Sequence, residues 1–276
     1  MVMPEVRRPE ETSRQNGLEQ AIDRYKQSTS FLTLSENTRS FYRADLAQLE
    51  GFLKTAGTLS LTTGINNWFD ALKKKQFLQS TVNRKHSSLS GFLKWAQAEG
   101  VIRPDFTDGL SKYEKVKRRG CPKTLTAEQT STLVSKARSL RDASLISIAL
   151  STGASITEIV NLNVEDILKT GNGNIAIRFK GLEKKAQPRK LVVDKRLGNE
   201  ITEYIRRSKL KLEDPLFRGK YGYGRLTRTG VTAVIFKKYA QEIGVENLNP
   251  RMLRDTFIAN FTGTPHELAK VLGRKV

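Results

Sequence analysis

The sequence predicts a mostly α-helical protein of two domains with a small β hairpin or sheet, and three observations carry that prediction. Apolar residues recur at helical spacing through residues 18–100 and again beyond residue 124. Strand-like alternation is confined to one stretch, GNGNIAIRFKGLEKKAQPRKLVVD. Between the two helical regions lies KYEKVKRRGCPK, basic, poor in apolar residues and containing Gly120 and Pro122, which reads as a linker over residues 112–123.

The elements follow in order. Residues 1–14 are polar, carry two prolines and show no periodicity, so they are expected to form a flexible tail. Leu18, Ile22 and Tyr25 mark a first helix, and Ser35 and Gly57 are the expected cap and stop of a second. Its apolar face is Phe41, Leu46, Leu49, Phe52 and Leu53, with Arg39 and Arg43 on another side. Trp68, Phe69 and Leu72 place a third helix over about Ile65 to Lys74. A fourth, capped at Ser80 and ending at Gly100, buries Val82, Leu89, Phe92, Leu93 and Ala96 and carries Arg84 and Lys85 near its start. Residues 15–111 therefore read as a helical bundle. In residues 124–276 a helix capped at Thr126 is followed by the apolar helix DASLISIALSTG and by a helix in TEIVNLNVEDI. IAIRF and KLVV then form a hairpin, and helices are expected at about 197–210, 227–244, 250–261 and 265–272.

The chain has 276 residues, 38% hydrophobic and 28% charged, enough for a buried core in each part. Its 48 Lys and Arg against 28 Asp and Glu give a net charge of +20, which makes a polyanion the expected partner. A single cysteine, Cys121, and two distant histidines, His86 and His266, exclude an internal disulfide and a Cys/His zinc cluster, and no cofactor is expected. No apolar run approaches bilayer length and the N-terminus lacks a signal-peptide core, so the expected location is the cytoplasm, associated with the nucleoid.

Several segments, in order, resemble the tyrosine recombinase or phage integrase family. SENTRSFYRADLAQLEGFL and STVNRKHSSLSGFLKWAQAEGVI are similar to helices of its core-binding, SAM-like domain. LISIALSTGASITEIVNLNVEDI is similar to the helix pair bearing TG-x-R-[IV]-[ST]-E, with Ser155 at the position of the first catalytic arginine. FKGLEKKAQPRKLVV resembles the GKG-x-K-x-R hairpin, with Lys180 as the lysine that protonates the leaving hydroxyl. PRMLRDTFIANF resembles H-x-L-R-H-[ST]-F-A: Arg251 replaces the first His, Arg254 keeps the second catalytic arginine and Asp255 replaces the next His. AKVLGRKV resembles the LGH segment, with Arg274 in place of its His. The family's nucleophilic tyrosine follows several residues later, past Val276.

The resemblance implies a helical core-binding domain followed by an α+β catalytic-like domain. Strand transfer needs an attacking hydroxyl, two arginines on the phosphate and proton donors and acceptors. Ser155 gives one neutral hydrogen bond where a guanidinium gives two charged ones, and it also suits a helix N-cap with Glu158. Arg251 and Arg274 hold a phosphate but move no proton at neutral pH. The expectation from these residues is a catalytically inactive, sequence-specific binder of double-stranded DNA: no enzyme, but a transcriptional repressor or regulator of a phage or mobile genetic element. The alternatives are an active or trans-complemented recombinase and an architectural accessory factor. The expected DNA contacts are Arg39, Arg43, Arg84, Lys85, Lys115, Lys117, Arg118, Arg119, Lys180, Arg251, Arg254 and Arg274. A regulatory partner or effector, no membrane partner and a monomeric state off DNA complete the reading. Tyr221 and Tyr223 are read as loop or DNA-contact residues rather than substitute nucleophiles.

Overall fold

Side-chain caps set most of the helix starts. In the computed structural model, which describes residues 9–56, 60–102, 110, 123–181, 187–219 and 224–274, the chain divides into two units, Met1–Arg119 and Gly120–Val276.

The first unit contains α1 (Pro9–Gln27), α2 (Thr29–Leu32), α3 (Glu36–Ala56), α4 (Leu61–Lys74) and α5 (Gln79–Ala98). Their apolar stripes meet in a core of Ile22, Tyr25, Phe31, Leu46, Leu49, Trp68, Phe69 and Phe92. Burying each such side chain is worth about 1.5–3 kcal/mol. Tyr25 stands edge-on to Phe31 at 5.2 Å and to Phe92 at 5.7 Å, the arrangement the ring quadrupoles favour.

Four local expectations need correction. α1 begins at Pro9, inside the segment read as a tail, because proline at a first helical position gives up an N–H that would have had no partner. α4 starts at Leu61 rather than Ile65, since Ser60 Oγ accepts the Thr63 N–H at 3.1 Å. Ser80 caps nothing: α5 starts at Gln79 after Leu78, which makes no side-chain cap. Phe41, assigned to the buried face of α3, is 46% exposed and carries the Arg84 guanidinium 4.8 Å above its ring.

The second unit is built on α6 (Ala127–Lys136), α7 (Leu140–Thr152) and α8 (Ile156–Val160), then a 3-10 turn (Val164–Asp166) and strands β1 (Ile167–Lys169), β2 (Ile175–Phe179) and β3 (Arg189–Val192). α9 (Lys195–Arg207) follows; α10 (Arg228–Gly230) runs through a π-helical turn (Val231–Phe236) into α11 (Lys237–Glu242), and α12 (Pro250–Ala259) and α13 (Pro265–Val271) end the fold. α7 packs against α9 and α12. The core includes Leu145, Ile146, Ile148, Ile159, Phe217, Phe236 and Leu253.

The sheet is antiparallel in the order β1-β2-β3, with Ile167 opposite Ile177 and Phe179 opposite Arg189. β2 is the buried centre. The helix expected through TEIVNLNVEDI stops at Val160, where Arg225 donates to the Val160 carbonyl at 2.8 Å and the Leu162 carbonyl at 3.1 Å. Those bonds come from 63 or more residues away and occupy acceptors that a longer helix would use.

Gly153 ends α7 in the left-handed region at φ +59°, where a Cβ would press on the Phe257 ring and lie 2.9 Å from Leu272. Without a side chain there, the α7–α8 junction packs tightly on α12 and on the end of α13.

Candidate active site

Ser155 and Glu158 cap α8 reciprocally. The Ser155 N–H donates to Glu158 Oε2 at 2.8 Å, and Ser155 Oγ accepts the Glu158 N–H at 3.3 Å. Position 155 therefore serves as a helix cap.

Glu158 is the centre of a buried ion cluster. Arg189 Nη1 donates to its Oε1, and Arg254 Nη1 stands 3.7 Å from its Oε2. Burial works to raise the Glu158 carboxyl, but the hydrogen bond and charge of Arg189, together with the Ser155 bonds, outweigh it and hold the group below its ordinary value. Because the folded value is depressed, Glu158 contributes stability above about pH 4.5 that is lost as pH falls through its folded value. The urea midpoints of the wild type and Glu158→Gln are accordingly expected to differ most near pH 7 and to converge below about pH 4.5. A gap that stays constant down to pH 3 would remove the ionised carboxylate from this account.

Arg189 enters from β3, with its guanidinium 4.6 Å over the Phe179 ring of β2. Its side chain is only 6% exposed. A Cβ on Gly273 would lie 2.7 Å from Arg189 Nη1, and the Gln187 N–H donates to the Gly273 carbonyl at 2.7 Å. Four segments thus converge: the start of α8, the β2–β3 pair, α12 and the turn after α13. Arg274, next to Gly273, is exposed.

Lys180 stands at the end of β2, paired with Glu165 at 3.1 Å and Asp166 at 3.2 Å. The hydrogen bond that Lys180 donates to Glu165 raises its pKa, burial opposes this, and Asp166 adds to the rise, so the ammonium keeps its proton at neutral pH. Arg251, in the first turn of α12, is 85% exposed and 3.4 Å from Asp255. Arg254 is the motif arginine that the fold brings to the buried carboxylate.

In the first unit, Arg39 and Arg43 both pair with Glu36, and Arg43 lies 5.5 Å over Phe31. Arg84 bonds Asp45 beneath its Phe41 contact. Lys85 is a correction. Its side chain is 2% exposed, its Nζ bonds Asp45 at 2.9 Å and Gln48, and it lies 5.4 Å from the Trp68 ring, so it neutralises a buried carboxylate and presents nothing to DNA. His86 stacks on Phe69 at 3.7 Å, as part of the packing. Lys115, Lys117, Arg118 and Arg119, with Tyr221, Tyr223 and Cys121, lie outside the described residues.

Sequence reasoning missed Glu158 as a hub and omitted Arg189. The signal for Arg189 was present, as the closing arginine of the hairpin pattern, but its burial against Glu158 was not.

The family described as "Phage integrase family" matches residues 123–271, and that described as "Phage integrase, N-terminal SAM-like domain" matches residues 22–100. The chain is 26% identical to tyrosine recombinase XerC of Roseiflexus castenholzii (86% of this chain, 78% of the relative). It is 30% identical to tyrosine recombinase XerC of Thermodesulfovibrio yellowstonii (82% and 77%). Among solved structures it shares its fold with a lambda integrase dimer bound to a COC' core site (TM-score 0.71, 14% identity, 94% and 95% covered). It shares it also with XerH recombinase bound to palindromic difH substrate (TM-score 0.70, 17% identity, 95% and 83% covered).

These relatives overturn the expectation that the chain is no enzyme, since tyrosine recombinases are enzymes. That expectation rested on substitutions at residues 155, 251, 255 and 274, which change the groups around a phosphate without measuring turnover, and on a tyrosine whose place lies past Val276.

Proposed function

Because the chain belongs to the phage integrase family, we propose that it acts on duplex DNA as a site-specific tyrosine recombinase. The observation that carries the reading is the succession of both family matches along the chain, with Arg254 of the second one standing on the buried carboxylate at the convergence of four segments. Relatives named recombinases, and neighbours of the same fold bound to DNA sites, support it.

The reaction is exchange at phosphorus: the attacking hydroxyl gives up its proton to solvent as its bond to phosphorus forms and the bond to the leaving strand breaks. Arg254 neutralises charge growing on the non-bridging oxygens, and Glu158 fixes where its guanidinium stands. Lys180, kept protonated by Glu165 and Asp166, hands its proton to the departing hydroxyl and is reprotonated from solvent. Arg251 and Arg274, both exposed, position the DNA backbone as permanent cations.

The test starts by selecting binding sites from random duplexes and then assays strand exchange between two selected duplexes. Paired half-sites and exchange are expected. Arg254→Ala is expected to slow exchange by about 10²–10³ while changing Kd by less than about tenfold. Selected sites that are bound but never exchanged by the full-length protein would overturn the enzymatic reading.

A further inference from the structure

Two guanidiniums are needed on the reacting phosphate, and residue 155 supplies none. We propose that Arg189 is the second: a phosphate-binding group whose ligand is an oxyanion of the DNA backbone. This rests on the functional reading above.

Arg189 Nη1 bonds one oxygen of Glu158 while the Ser155 N–H bonds the other, so a guanidinium stands across a single carboxylate from residue 155. Arg254 approaches the same carboxylate from α12. One negative charge faces two permanent positive ones, which leaves the cluster with the sign an oxyanion needs.

Nη1 is committed to Glu158, whereas Nε and Nη2 are buried with no hydrogen-bond partner among the described residues, in a side chain only 6% exposed. Nε and Nη2 form one edge of the planar group, the edge that binds two oxygens of a phosphate side by side. Buried donors left unpaired are costly, and a structure retains them where function uses them. Arg225, by contrast, spends Nη1 on two carbonyls and Nη2 on Asn163.

Phe179 holds the guanidinium plane from one side and precedes Lys180, so the proposed phosphate ligand and the proton donor share one hairpin. Gly273 covers Arg189 Nη1 with backbone alone. Arg274, the residue after Gly273, is exposed.

The test is a titration of inorganic phosphate into [15N]arginine-labelled full-length protein, following the Arg189 Nε–H resonance. A saturable shift is expected. Arg189→Lys keeps a charge beside Glu158 but lacks the two-donor edge; it should bind phosphate about tenfold more weakly and make the log–log salt slope of duplex binding shallower by about 0.9. The wild-type titration needs no variant, so it decides the matter even if Arg189→Lys does not fold. A protein that exchanges DNA while its Arg189 signal ignores both phosphate and duplex would overturn the proposal alone. A responsive Arg189 in a protein that binds no duplex would uphold the anion site and sink the functional reading.

Discussion

Affinity for duplex DNA is expected to fall by about 10³–10⁵ between 50 and 200 mM salt, the largest change foreseen for this protein. Neutralising roughly 6–10 phosphates releases as many condensed counterions and sets a log–log slope of roughly −5 to −9. The net charge of +20 makes that number of contacts attainable. The structure also limits it. Lys85 is sealed against Asp45, and Arg39, Arg43, Arg84 and Lys180 already face carboxylates with which a phosphate must compete. The slope should therefore fall well short of the total of basic residues. Fluorescence anisotropy of a labelled duplex at four salt concentrations measures it. A nearly flat line would assign the charge to some other partner.

Asp45→Ala is expected to destabilise the first unit by about 3–5 kcal/mol. The mutation leaves the Lys85 ammonium at 2% exposure without its carboxylate, and Ser88 Oγ and Arg84 lose the same acceptor. Breaking a buried pair from one side costs more than the pair is worth, because the remaining charge stays desolvated. Asp45→Leu combined with Lys85→Met should recover much of the loss, since neither charge then remains to be solvated. Both tryptophans, Trp68 and Trp95, lie in the core of this unit, so urea unfolding followed by tryptophan fluorescence reads it directly. A single mutant within about 1 kcal/mol of wild type would show that water reaches Lys85 in solution.

Most helices were legible because their signals are local. Capping boxes at Thr126–Gln129, Ser155–Glu158 and Thr264–Glu267 lie within four residues of chain, and so do the apolar stripes. The short strand β1 was missed because three residues are too few for alternation to show. The early end of α8 depends on Arg225, which no local pattern around Val160 announces.

What the sequence determined by itself was the family's order of segments, the helical class, the one hairpin and the sign of the charge, all properties of composition and near-neighbour spacing. Only the tertiary structure decided which cations are available. Lys85 and Arg84 are consecutive on α5, yet one is buried on Asp45 and the other reaches the surface over Phe41. Arg189 and Arg254 are 65 residues apart, yet meet the two oxygens of one carboxylate. The physical reason is the same in both cases. A basic residue's function depends on the desolvation and charge at its tip, and these are fixed by segments distant in the chain.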